Sequence, residues 1–395
     1  MLVAATAQGQ LRTEPRVFRT PKPGVHQTLG AGQLDAVFSS QNARNRLCLG
    51  TGSGGFSWCD DVSDDHELTF NAALGFVNGD SNLDVVFAND HINLVCLGDG
   101  TGEFPSCADV GTDTQQSIDV ALGFIDSDAN LDAIFANYNQ QNRVCLGDGQ
   151  GGFSCSSVTT DTNASASVQL GLLNGDAFLD AVFANFEQED RVCLGDGTGG
   201  FSGCSDLSLD TSPTFEGALG LVDGDAHLDA VFANLNVPNR VCFGDGAGGF
   251  RGCANVSPAN RASQGVALGL VDGDAFLDAV FSNAPNQKNR VCLGNGAGGF
   301  SCADVSEDNL SSFEVALGFL NEDDHLDAVF ANGGHNHVCL GDGTGGFSPC
   351  ANIVADDNPT TSLGVVLGEI ATLHEPIFAD GFESGNTSAW SSTVP

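Results

Sequence analysis

An all-β repeat architecture is predicted by three observations. The phrase L-D-A-V-F-A-N and its variants recur along the chain, placing Asp35, Asp84, Asp132, Asp180, Asp229, Asp278 and Asp327 at successive gaps of 49, 48, 48, 49, 49 and 49 residues. The 14 cysteines fall into seven doublets, 10 or 11 residues apart with none left over: Cys48/Cys59, Cys96/Cys107, Cys145/Cys155, Cys193/Cys204, Cys242/Cys253, Cys292/Cys302 and Cys339/Cys350. No segment longer than a turn has the i, i+3, i+4 apolar spacing of a helix. Together these point to a β-propeller of seven four-stranded blades with one disulfide per blade, eight blades being the alternative.

One unit, Val266 to Cys302, reads VALGLVDGDAFLDAVFSNAPNQKNRVCLGNGAGGFSC. V-A-L-G-L-V is an apolar run of strand length, and D-G-D-A-F-L-D is a turn. D-A-V-F-S-N, rich in branched and aromatic residues, is a second strand. A polar stretch leads to N-R-V-C-L as the third strand. G-N-G-A-G-G-F turns tightly, and S-C opens a short fourth strand. So small a sheet cannot bury its own faces, so copies must stack. A β-helix is the other fold for an Asp/Gly-rich repeat, but its coils are much shorter than this period.

The Gly-rich turn inside each doublet places its two cysteines across a hairpin, within disulfide reach. The bond would pin the outermost strand pair, where a sheet is otherwise an unprotected edge. Zinc would call for closer cysteines joined by His or further Cys. Seven disulfides imply an oxidising compartment, hence a secreted or cell-surface protein. The start, MLVAATAQ, is too short for a secretory signal, yet Ala5-Thr6-Ala7 suits the end of one. No stretch approaches the roughly 18 apolar residues of a membrane-spanning helix.

The expected layout is an N-terminal segment 1–23, a repeat region 24–379 and a tail 380–395. Leu363 to Gly381 resembles half a further unit without the acidic loop. It would either pair with the N-terminal strand or join residues 2–11 in an eighth blade.

Composition carries the same message. Gly is 52 of 395 residues while Met is 1, Tyr 1 and Trp 2, as when one phrase is copied many times. The 51 acidic against 13 basic residues give a formal charge of −38, which excludes nucleic acid as a partner. Disorder is excluded by 41% apolar residues and 27 Phe.

The acids are not scattered. With the Asp of L-D numbered loop position 9, positions 3, 5 and 9 are Asn78/Asp80/Asp84, Asp126/Asp128/Asp132, Asn174/Asp176/Asp180, Asp223/Asp225/Asp229, Asp272/Asp274/Asp278 and Asn321/Asp323/Asp327. Calcium takes about six to eight oxygens at about 2.3–2.6 Å, and alternate residues of a curling loop can converge on one ion. Six copies of the set predict about six Ca2+ ions, bringing the formal charge from −38 to −26. The first loop, ending at Asp35, lacks the other acids and is expected to bind nothing.

The phrases N/D-G-D-x-x-L-D-x-V-F-A-N and L-G-D-G-x-G-G-F resemble the FG-GAP/VCBS repeat of integrin α-subunit heads and many bacterial extracellular proteins. The resemblance covers roughly residues 24–379. It implies a propeller whose loop between strands one and two binds calcium. The chain departs from that pattern at loop position 1, where Phe76, Phe124, Leu172, Leu221, Leu270 and Phe319 replace Asp, which implies weaker or more hydrated sites.

Three other registers recur. Asp99, Asp148, Asp196, Asp245 and Asp342 in the hairpin turn read as turn caps. Arg46, Arg143, Arg191, Arg240 and Arg290 read as partners in ion pairs, or as a ring meeting an acidic ligand. The connections between strands two and three, from SSQNARN to ANGGHNH, are variable and rich in Asn and Gln, where a glycan or an extracellular protein would bind. No G-x-S-x-G or H-E-x-x-H motif occurs, and no enzyme is expected. The reading is an adhesion or recognition module. A spacer without a ligand is the alternative, and a polysaccharide-active enzyme such as a lyase the second alternative.

Overall fold

The computed structural model describes residues 33–63, 67–307, 309–353 and 361–371. The expected N-terminal segment 1–23, the tail 380–395 and the end of the half repeat lie outside these residues. Among the described residues there are 28 strands and no helix.

Each repeat supplies four antiparallel strands in chain order, as in Thr69–Gly75, Asp84–Asn89, Leu94–Leu97 and Ser106–Asp109. The two inner strands are buried along their length, which is why they read as continuous apolar runs rather than alternating ones. The outermost strand is the most exposed of the four, throughout in Ser106–Asp109. The first repeat contributes Asp35–Ser40, Arg46–Gly50 and Phe56–Asp61. Its missing strand is Ser362–Gly368 from the half repeat, paired antiparallel with Asp35 opposite Gly368. The half repeat therefore completes the first sheet. Sheets from the fifth and sixth repeats join through Leu235 opposite Ala262, so that five four-stranded sheets accompany one of eight strands.

The innermost strands, Thr69–Gly75, Ser117–Gly123, Ser165–Gly171, Thr214–Gly220, Arg261–Gly269 and Ser312–Gly318, each pack against the next. Ser362–Gly368 packs against both the last and the first of these. Every innermost strand carries a bulge, for example between Thr69 and Asn71, that places an extra residue opposite its partner.

The core lies between sheets. The Phe of each L-D-A-V-F-A-N copy (Phe38, Phe87, Phe135, Phe183, Phe232, Phe281 and Phe330) is among the largest fully buried side chains. Each contributes roughly 1.5–3 kcal/mol relative to exposure. Adjacent sheets are also joined by a repeated polar link. The Asn before strand three donates its amide to a hydroxyl opening the next sheet: Asn45 to Thr69, Asn93 to Ser117, Asn142 to Ser165, Asn239 to Ser263 and Asn289 to Ser312, at 2.9–3.0 Å.

All seven cysteine doublets are disulfides, each bridging strands three and four with Cα atoms 3.9–4.2 Å apart. They staple the exposed outer strand to its sheet, as the spacing predicts.

Candidate functional site

Position 9 of each acidic loop is a structural anchor. Asp84 is buried, and its two carboxylate oxygens accept from Val77 N–H (2.9 Å) and Gly98 N–H (3.0 Å). One side chain thus ties loop position 2 to the end of strand three. Asp132, Asp180, Asp229, Asp278 and Asp327 repeat the arrangement. Gly98 is required there because a Cβ would overlap the Leu83 carbonyl oxygen. Asp35, which has lost the acidic loop, keeps the anchor through Gly50, Ile370 and Ala371. Burial raises the carboxyls of Asp84, Asp132 and Asp278 to about 6, against the lowering effect of these amide donors.

Positions 3 and 5 curl the loop. Asp126 Oδ1 accepts from Asp128 N–H and Asp128 Oδ1 from Asn130 N–H, both at 2.7 Å. The same pair of turns forms at Asn78 and Asp80, Asn174 and Asp176, Asp223 and Asp225, Asp272 and Asp274, and Asn321 and Asp323. The next sheet supports the loop from the side, since Gly151 N–H donates to Val77 O (3.2 Å) and Gly248 N–H to Leu173 O (3.0 Å).

The six loops differ in what they gather. Among the described residues, Asp126, Asp128 and Asp132 are the one set of three acids that each bring a carboxylate oxygen within 4.8 Å of the others'. Three convergent carboxylates suit a hard cation such as calcium. In the second and fourth repeats the Asn amide nitrogen donates instead to its neighbour, Asn78 to Asp80 (3.0 Å) and Asn174 to Asp176 (2.9 Å). In the fifth, Arg251 spans Asp223 Oδ2 (2.8 Å) and Asp225 Oδ2 (2.7 Å), so a guanidinium stands where an ion would. Sequence reasoning passed over Arg251. Its signal was there, because the residue after G-G-F is Ser in most other repeats.

Asp274 and Asp323, both expected as calcium ligands, cap turns in this structure. Asp274 is exposed and does not form a close acidic set with Asp272 and Asp278. Its Oδ1 instead accepts from Phe276 N–H at 2.7 Å, so it caps the turn. Asp323 is exposed as well, and its Oδ1 accepts from His325 N–H at 2.9 Å, with His325 Nδ1 at 3.7 Å. The loops differ at position 7. In the third repeat, Asn130 holds both oxygens of Asp128, through its backbone N–H and its side-chain amide at 2.8 Å. Phe276 has no side-chain donor to do the same.

Half-exposed phenylalanines stand in the same loops. Phe76 and Phe319 at position 1, and Phe178 and Phe276 at position 7, are 41–43% exposed. Sequence reasoning noted position 1 only as a lost carboxylate.

The other registers have internal partners. Arg46 pairs with Asp61 (2.7 Å), Arg143 with Asp113 (2.7 Å), Arg191 with Asp206 (3.3 Å), Arg240 with Asp210 (2.6 Å) and Arg290 with Asp304 (3.7 Å). The hairpin aspartates cap their turns: Asp148 Oδ1 accepts from Gln150 N–H and Gly152 N–H. In the variable connections, Gln140 and Gln188 accept from Gln116 N–H and Ala164 N–H, at the start of the innermost strand of the same sheet, both at 2.7 Å.

Known structures share this fold. The chain is similar to a lectin from Burkholderia pseudomallei, with 15% identity over 82% of this chain and 96% of that one, at a TM-score of 0.67. It is also similar to an Agrocybe aegerita lectin described as recognising non-reducing terminal N-acetylglucosamine, with 15% identity over 85% and 95% of the two chains and a TM-score of 0.59. No protein-family model matches the sequence, and no curated protein matches it. Among the described residues, no helix is long and apolar enough to cross a membrane.

Proposed function

We propose that the chain is an extracellular glycan-recognition module: a closed seven-bladed β-propeller of the FG-GAP/VCBS kind that binds calcium in its acidic loops. Closure is supported by Ser362–Gly368, which completes the first sheet and packs on the inner strands at both ends of the series. Export is supported by the seven disulfides. Calcium is supported chiefly by the third loop, where Asp126, Asp128 and Asp132 converge. The remaining five sets would bind only with rearrangement: of an Asn amide in the second and fourth, of Arg251 in the fifth, and of Asp274 and Asp323 in the sixth and seventh.

The observation that carries glycan recognition is the placing of Phe76, Phe178, Phe276 and Phe319 beside these acids. Aromatic faces stack on the apolar faces of sugar rings, and carboxylates with a bound cation hold hydroxyls. A fold shared with two lectins fits that use. Several similar loops would give weak, equivalent contacts that add through multivalency.

The test is a glycan array probed with calcium and with chelator. Binding that disappears with chelator and with Phe178→Ala/Phe276→Ala supports the proposal; silence across the array overturns it. A spacer without a ligand is the second reading. It is favoured by the internal pairing of the Arg register and of Gln140 and Gln188, which withdraws those groups from a partner.

A further inference from the structure

In three repeats the arginine opening strand three meets a carboxylate placed thirty residues earlier: Arg143 with Asp113 (2.7 Å), Arg191 with Asp161 (3.6 Å) and Arg240 with Asp210 (2.6 Å). The sixth repeat breaks the rule. The equivalent position before Arg290 holds Asn260, and the residue after it is a further cation, Arg261. Lys288, in the connection between strands two and three, adds a third. Three of the nine Lys and Arg among the described residues therefore gather at one place, in a chain of formal charge −38.

Asp304, which ends strand four, is the carboxylate they share. Its Oδ1 lies 3.7 Å from Arg290 Nε and 3.9 Å from a terminal nitrogen of Arg261, both beyond hydrogen-bond length. Lys288 Nζ is 3.4 Å from Asp304 Oδ2 and 2.7 Å from Glu307 Oε2. Glu307 is 96% exposed, so water competes for it and the pair holds weakly. Three cations thus face two carboxylates, which leaves one positive charge over.

Among the described residues, neither Arg261 nor Arg290 donates a hydrogen bond from its guanidinium, and Arg290 Nε is buried without a partner. Arg143, at the same register as Arg290, instead donates to Asp113, to Ser157 Oγ and to the Cys155 carbonyl. Burial, with the like charge of Arg261, pulls the Arg290 guanidinium below its usual range, against the opposing effect of Asp304. Arg261 and Lys288 keep 34% and 23% of their side chains open to solvent, so an outside acceptor can reach them.

Each guanidinium is a planar fork of N–H donors, matched side by side to two oxygens of a carboxylate or sulfate. An uncharged hydroxyl satisfies one donor and leaves the surplus charge standing. The overall negative charge repels an anion at long range, but at about 0.15 M salt that field is screened beyond about 8 Å. Inside that distance the three cations decide.

We propose that Arg261, Lys288 and Arg290 form one anion site per chain, for the uronate carboxylate or the sulfate ester of an acidic saccharide. The site rests on the glycan reading above and names the class of sugar. Asp304 competes with that ligand for the same donors.

The experiment is isothermal titration calorimetry on the full chain, with an oligogalacturonate, a sulfated galactan oligosaccharide and a neutral galactose oligomer. The expected result is binding of one or both acidic probes, and which of them binds separates carboxylate from sulfate. Binding should weaken about tenfold or more in Arg261→Ser and in Arg290→Lys, the second of which keeps the charge but loses the fork. Asp304→Asn should tighten it by removing the competitor, a gain that misfolding does not imitate. Failure of both acidic probes to bind, acidic binding unchanged by both arginine substitutions, or Asp304→Asn protein that binds no more tightly overturns the proposal. If neutral sugars still bind, glycan recognition stands without this site; silence from every sugar removes both.

Discussion

Asn336 donates its side-chain amide to Ser362 Oγ at 3.0 Å, joining the seventh sheet to the strand that completes the first. It is the same link that Asn45, Asn93, Asn142, Asn239 and Asn289 make to the next sheet, but here it reaches the terminal half repeat. Both groups are buried, so losing one strands the other.

Asn336→Ala is therefore expected to cost about 1–3 kcal/mol, as for other buried donors removed from their acceptors. Denaturant unfolding measures it. A double-mutant cycle with Ser362→Ala should show coupling between the two; purely additive losses would mean that the link contributes nothing of its own.

The fourth repeat replaces this Asn with Asp190. Burial pushes its carboxyl up to about 8, with the Asp210 charge adding and Arg240 opposing. In the unfolded chain an Asp titrates near about 3.9. The native state thus holds the proton more tightly, and the resulting stability is complete below about pH 4 and is lost as pH rises through about 8. Asp190→Asn should supply the amide of the other repeats and remove that loss. The variant is expected to gain on the native chain as pH rises from about 4 to about 8 and to be the more stable of the two at pH 9, with little difference below about pH 4. Equal pH slopes for the two proteins would contradict this account.

Each disulfide closes a loop of 10 or 11 residues. The chain-entropy estimate for such a loop is about 3 kcal/mol. Cys145→Ser/Cys155→Ser should lower stability by about that amount and make the outer strand Phe153–Ser157 the first to exchange its amide hydrogens. Protection of that strand as in the native chain would show that its ladder holds without the bond.

For the acidic loops, calcium should raise the melting temperature, since a ligand at about a hundred times its Kd stabilises by about 2.7 kcal/mol per site. Asp128→Asn should weaken binding in the third loop. Arg251→Ser should let the fifth loop bind an ion, because Asp223 and Asp225 lose their guanidinium. Calorimetry that counts no additional ion in Arg251→Ser protein would show that the fifth loop is not a latent site.

The strand order and the disulfides were legible because the repeat writes them several times over. Hydrophobic runs, turn residues and cysteine spacing agree in each copy. The individuality of each loop was less legible. That Asp126, Asp128 and Asp132 converge while Asp223 and Asp225 face Arg251 depends on a side chain from strand four, over 20 residues away in sequence. The inner register of Asn71, Asp119, Ser167, Glu216, Gly265, Glu314 and Gly364 was hidden for another reason. Its residues differ from copy to copy, and the bulge shifts them out of the simple alternation that marks a buried face. Position 9 was read as a calcium ligand, and the structure shows it fastening the loop to strand three, a role its spacing did not reveal.

The first sheet is assembled from opposite ends of the chain, with Ile370 N–H reaching Asp35 across 335 residues of sequence. Synthesis runs from one end to the other, so the sheet begun first is the last that can be finished. A chain interrupted before Ser362 presents the bare edge of Asp35–Ser40, with backbone groups open to any passing strand. Such fragments are marked for aggregation or proteolysis, whereas a full-length chain conceals that edge within itself.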